Sequence, residues 1–304
     1  MPTTVRWARS APVLACLALA GCAGSSGHAE MRETHAATLT RAAVARAPTH
    51  QPDVIMRRDV LYREVNDVRL RLDAYLPEAK GSHPAIVFLH GGGFRSGIRG
   101  SFAPGEQAFG PTGQALARNG LAAFAIDYRL APQFRFPAAE QDVLAAVRWV
   151  RRHAHELGVD PSRLGLFGVS AGGNLAALAA TQPSSPLDQV RVAVSWSGPM
   201  NLARFYPSHP FVAEYLGCLV FACPDRYRAA SPVNRVDHGD PPMLLANSTA
   251  ETVPIGQARE MISRLAVVRV AHQLLVIPGG RHAGQYNAEA WPATLRFLRQ
   301  RLTR

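Results

Sequence analysis

At 304 residues the chain has the length of one large domain or two small ones, and 47% hydrophobic residues supply material for a full core. The formal net charge of +11 comes almost wholly from arginine, Lys80 being the only lysine. The arginines are spread along the chain, and Arg57-Arg58 and Arg151-Arg152 are among the densest groups. The clustering typical of nucleic-acid binding is missing, and a solvated basic surface that can rest near anionic lipid headgroups is expected instead.

The first residues read as a targeting segment rather than as part of the fold. Arg6 and Arg9 give a short basic start, and the apolar run Ala11 to Ala20 is too short to span a bilayer but fits the apolar region of a secretory signal. The run ends in Leu19-Ala20-Gly21-Cys22, which resembles the lipobox of bacterial lipoproteins. That resemblance implies a signal peptide over 1–21, cleavage before Cys22, diacylation of its sulfur and acylation of the new amino terminus. Export and anchoring to a membrane follow, with Ala23 favouring the outer membrane where the cell has two. The alternative is a plain secretory signal cut within Ala23 to Gly27. Two or three acyl chains anchor stably where one does not. Residues 22–52, rich in Ala, Thr, Ser, Gly and Arg, read as a tether, with a short helix expected around Ala36 to Ala45. Of the remaining cysteines, Cys16 falls in the removed segment. Cys218 and Cys223 lie in a compartment that permits a disulfide.

From residue 53 to 304 strands and helices alternate. Val68 to Leu72 alternates apolar with charged residues, the pattern of a half-exposed antiparallel edge strand. Ala85 to Leu89 is a continuous apolar run bounded by Pro84 and a glycine cluster, as expected of a strand buried on both faces. Leu121 to Ile126, Leu164 to Phe167, Val192 to Trp196, Met243 to Ala246 and Leu274 to Ile277 repeat that character. A helix is predicted from Ala138 to Leu157, with Val143, Val147, Val150, Ala154 and Leu157 on one stripe, and Asp160-Pro161-Ser162 then reads as a turn. Another helix is predicted near Ala288 to Leu302. The rhythm is that of an α/β fold, a mostly parallel sheet covered by helices on both faces, with its chemistry at the carboxyl ends of the strands.

Chemistry concentrates first in Leu166-Phe167-Gly168-Val169-Ser170-Ala171-Gly172-Gly173-Asn174-Leu175, where a buried strand runs through G-x-S-x-G into an alanine-rich helix. The glycines permit a sharp turn that lifts the Ser170 hydroxyl clear of the backbone, and the helix behind it favours developing negative charge. The second segment, His90-Gly91-Gly92-Gly93-Phe94, follows the strand ending at Leu89. Its glycines let amide N–H groups face outward, as acyl transfer requires when a carbonyl oxygen becomes an oxyanion. Gly91 and Gly92, with Ala171, are the expected donors, and roughly 3–4 kcal/mol of transition-state stabilisation rests on each. His90 is expected to hydrogen-bond the loop and hold its shape.

His90 to Phe94, Asp127-Tyr128-Arg129-Leu130-Ala131-Pro132 and Gly168 to Gly173, in this order, resemble the HGGG-containing carboxylesterases of the α/β-hydrolase fold. These include the hormone-sensitive-lipase-like and feruloyl/acetyl-esterase-like branches. Val169 stands where the first branch usually carries Asp, which favours the second. The resemblance covers about residues 60 to 303 and implies cofactor-free hydrolysis of short-chain carboxylic esters. Asp127 and Arg129 are expected to brace the glycine loop.

In this fold the order is nucleophile, acid, histidine. His282 follows the strand Leu274 to Ile277 and the turn Pro278-Gly279-Gly280-Arg281, where the base belongs, whereas His272 precedes that strand. Glu251, in the loop after Met243 to Asn247, takes the place where related esterases usually carry Asp, with one residue fewer before Pro254. Asp237 and Asp240 precede the strand and so fall at the opposite edge of the sheet. The reading is acyl transfer through an ester on Ser170, with His282 as base and Glu251 as its partner. Residues 198–232 are expected to form a lid. There Phe205, Tyr206, Phe211, Tyr215 and Phe221 either line an acyl or aromatic pocket or pack as core. An aryl-formamidase or carbohydrate-ester deacetylase uses the same machinery, and a catalytically silent binding lipoprotein is the alternative of another class. No metal set competes: His153 and His155 do not share a helix face, and Cys218 and Cys223 have no companions at zinc spacing.

Overall fold

The computed structural model describes residues 54–100 and 112–302, so the expectations for the signal segment, Cys22 and the tether lie outside the described residues. The apolar runs become strands β1 (Val54–Val65), β2 (Val68–Pro77), β3 (His83–Leu89), β4 (Ala122–Ile126), β5 (Val159–Val169), β6 (Val192–Trp196), β7 (Met243–Ser248) and β8 (His272–Ile277). Between and after them lie helices α1 (Thr112–Arg118), α2 (Ala138–Arg152), α3 (Ala171–Ala180), α4 (Leu202–Phe205), α5 (Phe211–Leu216), α6 (Pro224–Ala229), α7 (Ile255–Val267) and α8 (Asn287–Leu302). The strands form one sheet in the order β1-β2-β4-β3-β5-β6-β7-β8. β2 is antiparallel to both its neighbours, and every pairing from β4 to β8 is parallel.

Each parallel strand needs a crossover, and the crossovers put helices on both faces of the sheet. One core layer joins Val143, Val147 and Val150 of α2 to Leu175 of α3 and to Met261 and Leu265 of α7. The opposite layer joins Leu116 of α1 to Phe297, Leu298 and Leu302 of α8. All five residues of β4 and of β6 are buried, as their unbroken apolar sequences require.

Three expectations are corrected. Val68 to Leu72 belongs to an interior strand, because β1, whose charged residues Arg57, Arg58 and Asp59 hid its strand character, covers that side. β8 is an edge strand with an exposed Val276, although its sequence reads as buried. The helix over Ala138 to Leu157 stops at Arg152, and β5 already begins at Val159, so that Asp160-Pro161-Ser162 falls within its span. Asp160 still caps locally there, its Oδ1 accepting from Ser162 N at 2.8 Å.

A buried charge fixes α2 to the sheet. Asp142, fully buried, accepts from Arg129 Nε at 2.9 Å and from Arg63 Nη1 of β1 at 2.5 Å. Leaving either side of such a cluster unpaired costs about 3–5 kcal/mol, so it holds α2 and the loop after β4 in one register.

Candidate active site

Ser170 is the single residue between β5 and α3, at φ 54° and ψ −122°. A non-glycine residue in that region costs of order 1–3 kcal/mol and persists only where its surroundings hold it. Here the Ser170 N–H donates to Trp196 O at 2.8 Å, and its carbonyl accepts from Asn174 N at 3.1 Å. The motif glycines are required by contact. A Cβ on Gly168 would lie 2.0 Å from Gly172 O, and one on Gly172 would lie 2.3 Å from Leu89 O. Strand, turn, helix and the end of β3 therefore pack backbone to backbone at the serine.

The glycine loop sits against this corner: a Cβ on Gly91 would be 3.2 Å from Ser170 Cβ. Gly92, at φ 117°, turns the chain, and its carbonyl accepts from Arg95 N and Ser96 N at 3.1 Å each. His90 is buried, its Nδ1 bonds Gly91 O at 2.7 Å, and its ring stacks on Tyr128 with centroids 4.2 Å apart. The Tyr128 hydroxyl donates to His90 O at 2.8 Å. Burial pushes the His90 pKa down, which keeps the ring neutral. Asp127 braces the same loop through Arg99, accepting from its N–H at 2.7 Å and from Nη1 at 2.5 Å. Arg129 instead turns to Asp142.

His282 and Glu251 come together from loops after neighbouring strands. His282 Nδ1 bonds Glu251 Oε2, leaving Nε2 as the nitrogen free to exchange a proton with a substrate-side group. The Glu251 side chain has no exposure to solvent, while that of His282 keeps 21%. The other carboxylate oxygen accepts from Ser197 Oγ and from Ser248 N, each at 2.8 Å. Ser170, Ala171 and His282 line one small cleft, with Gly93, Phe94, Phe205, Phe211 and Val253 among its walls. Gly93 also lines that cleft, while Gly91 lies against Ser170 itself. Asp240 stands before β7, at the far end of the sheet, and Glu260 is on α7.

Two residues at this site were not found by sequence reasoning. Ser197, at φ 53°, directly follows β6, and its Oγ receives the Ala283 N–H at 2.8 Å as well as facing Glu251. The Tyr286 hydroxyl lies 2.7 Å from that Oγ and 2.9 Å from Ala246 O. Their one signal in the sequence is position, since Ser197 directly follows a buried strand and Tyr286 follows His282 by one helical turn. The segment expected as a lid places Phe205 and Phe211 on the cleft, packs Tyr215 against Phe94 at 4.0 Å, and turns Phe221 out to solvent. Cys218 and Cys223 are joined, with Cα atoms 6.2 Å apart. Among the described residues no cluster of His, Cys, Asp or Glu is arranged to hold a metal ion.

Comparison with known proteins agrees with this architecture. The chain is 29% identical over 248 residues to esterase LipC of Mycobacterium tuberculosis, a match covering 75% of this chain but only 60% of LipC. It is 31% identical over 256 residues to the ethyl acetate hydrolase of Pseudomonas putida, covering 76% of each. Among solved structures, the thermophilic esterase Est2 of the planctomycete Thermogutta terrifontis superposes with a TM-score of 0.64 at 28% identity, over 83% of this chain and 91% of that one. The family model described as BD-FAE matches residues 72–265. With that match and an eight-stranded sheet of this topology, the chain belongs to the BD-FAE family of α/β-hydrolase-fold proteins.

Proposed function

We propose that the protein is a serine carboxylic-ester hydrolase acting on esters of short acyl chains. The observation that carries this reading is His282, hydrogen-bonded to the buried side chain of Glu251, on one cleft with a serine held at a strained strand-to-helix corner. In the first step Ser170 Oγ attacks the ester carbonyl while His282 Nε2 takes its proton. The same proton then passes to the leaving alcohol as the acyl-enzyme forms. Water repeats the exchange and releases the acid and free Ser170. Glu251 holds the Nδ1–H tautomer and stabilises the imidazolium. The N–H groups of Ala171 and of the glycine loop, where Gly93 joins Gly91 and Gly92 as a candidate, receive the oxyanion.

The cleft supports a small, uncharged acyl group. Its described walls carry no Asp, Glu, Lys or Arg side chain, and Phe94, Phe205, Phe211 and Val253 close it with apolar surface. Solved structures of T. terrifontis Est2 include butyrate- and propionate-bound forms, which suits the same size class. A series of p-nitrophenyl esters tests the reading. kcat/KM should peak at acetate to butyrate and fall about tenfold or more by octanoate, because added methylenes have no buried apolar surface to occupy. A Ser170→Ala protein should be inactive and should not label with a fluorophosphonate. Labelling elsewhere, with activity retained in that variant, would refute the assignment.

We further propose that residues 1–21 direct export, that Cys22 is acylated, and that residues 22–52 tether the catalytic domain to the membrane, with the Cys218–Cys223 bond suited to that oxidising compartment. The support is Leu19-Ala20-Gly21-Cys22 at the end of the apolar run. Mass spectrometry of the mature amino terminus should find an acylated Cys22, and an unmodified peptide starting beyond it would end the idea.

A further inference from the structure

The six residues Cys218-Leu219-Val220-Phe221-Ala222-Cys223 form a loop closed on itself by the disulfide. It is held from outside as well. Tyr227 donates through its hydroxyl to Cys218 O at 3.0 Å, and Arg226 Nη1 donates to Leu216 O at 2.7 Å. Inside the loop, Ala222 N and Cys223 N both donate to Leu219 O, at 3.0 and 3.2 Å. A turn fixed by this many bonds would ordinarily present polar side chains to water. This one presents Phe221 at 78% exposure and Leu219 at 42%, two positions apart, with Val220 turned inward against the core. Other exposed large apolar residues, such as Ile55, Leu187 and Val267, sit on separate elements.

We propose that this stapled loop is a membrane-docking finger, with Phe221 and Leu219 entering the interfacial region of an anionic lipid surface. Three features select lipid over a protein partner. The finger offers only two large exposed apolar side chains, Phe221 and Leu219, whereas a stable protein interface needs about 800 Å² on each side. Its surroundings carry a small cationic excess: residues 198–235 contain four arginines, Arg204, Arg226, Arg228 and Arg235, against Glu214, Asp225 and the Glu260 of α7 that pairs with Arg204. Arg204 and Arg228 line a surface hollow beside the loop together with Val220. Arg204 pairs with Glu260 at 3.4 Å and Arg228 with Asp225 at 2.7 Å, and their side chains keep 73% and 68% exposure, so each guanidinium still has a face open to a phosphate. Aromatic and aliphatic tips flanked by guanidinium groups match the two layers of a lipid interface, acyl boundary and phosphate. The whole chain, at +11, adds long-range attraction of the same sign.

The finger also has a structural route to the cleft. It continues α5, whose first residue, Phe211, lines the cleft and whose length is about 9 Å. Docking at the finger therefore brings the catalytic cleft to the lipid surface, which raises the local concentration of membrane-dissolved esters. The inference does not depend on acylation of Cys22, and its test removes that group.

The full chain carrying Cys22→Ser, with no acylation site, is sedimented with vesicles of phosphatidylcholine, with and without phosphatidylglycerol. Binding should be seen with the anionic vesicles and weaken in high salt. Adding Leu219→Ser and Phe221→Ser should lower the partition coefficient about fivefold or more, while hydrolysis of p-nitrophenyl acetate in solution stays unchanged. Equal binding by the parent and the double variant, or no binding by the parent, would overturn the proposal. Parent dimers that the double variant converts to monomers would assign the surface to a second copy of the chain and likewise overturn it. Each outcome is independent of the esterase reading, since none of the binding arms measures turnover.

Discussion

Replacing Glu251 by Gln tests the site most directly, because every group around its carboxylate is a donor. Oε1 receives Ser197 Oγ–H and Ser248 N–H, and Oε2 receives His282 Nδ1–H. A glutamine has one acceptor atom for these three donors. Two of them converge on the Oε1 position, so the amide oxygen settles there and the amide nitrogen faces His282. The imidazole must then present a bare Nδ1 and carry its proton on Nε2, the nitrogen needed to accept the proton of Ser170. Recovering the working tautomer would turn the amide over, set its N–H₂ against the Ser248 N–H and force the Ser197 hydroxyl to turn away, at a position whose side chain has no solvent exposure. Loss of the buried charge beside the imidazolium adds to this. Together these effects amount to about 3–5 kcal/mol, or roughly 10²–10⁴ in kcat. KM should hardly move, since Glu251 does not line the cleft. The assay is kcat and KM for p-nitrophenyl acetate alongside a thermal melt, with Asp240→Asn as the control from the far end of β7. A Glu251→Gln protein that keeps more than about a tenth of parental kcat with an unchanged melt would refute the reasoning.

Ser197→Ala removes a donor from Glu251 and should lower kcat about tenfold, with KM unchanged and the acid limb of the kcat/KM profile moved to higher pH. Tyr286→Phe, one bond further away, should do the same more weakly, and an unmoved pH limb in both would make them mere packing residues. Gly172→Ala should yield insoluble or unfolded protein, because the new Cβ would meet Leu89 O and His90 O at 2.3 and 2.4 Å; a soluble, active variant would contradict the packing. Burial pushes the Glu140 carboxyl from 4.5 up to about 7, although Arg235 pulls the other way. Between those values the folded chain holds a proton that the unfolded chain releases, so stability falls as pH rises through the window. Glu140→Gln removes that penalty. It should stabilise the protein by up to about 3 kcal/mol well above pH 7 and change little near pH 4.5, as read from denaturant titrations at the two pH values. Equal stability of the two proteins at high pH would show that the carboxylate is not penalised.

The residues easiest to read in the sequence were those whose neighbours in space are also neighbours in the chain. The Ser170 corner is of this kind: strand, glycines, serine and helix form one contiguous stretch, and the clash distances at Gly168 and Gly172 restate what the spacing already required. His282 and Glu251 were accessible for a related reason. A parallel sheet sends every strand's carboxyl end to the same side, so a loop after a late strand is near the Ser170 corner whatever its sequence. Folding was needed for whatever depends on contacts between distant segments. Ser197 meets Glu251 across 54 positions and Tyr286 across 89, and no local pattern marks a serine as the one that will face a buried carboxylate. Asp142 likewise gains meaning only when Arg63, 79 residues earlier, reaches it from β1. In the segment over the cleft, helices of four to six residues are too short for apolar periodicity to define a face. Phe211 and Phe221 therefore look alike in sequence, and only the packing of α5 and the closure of the disulfide loop turn one toward the serine and the other toward solvent.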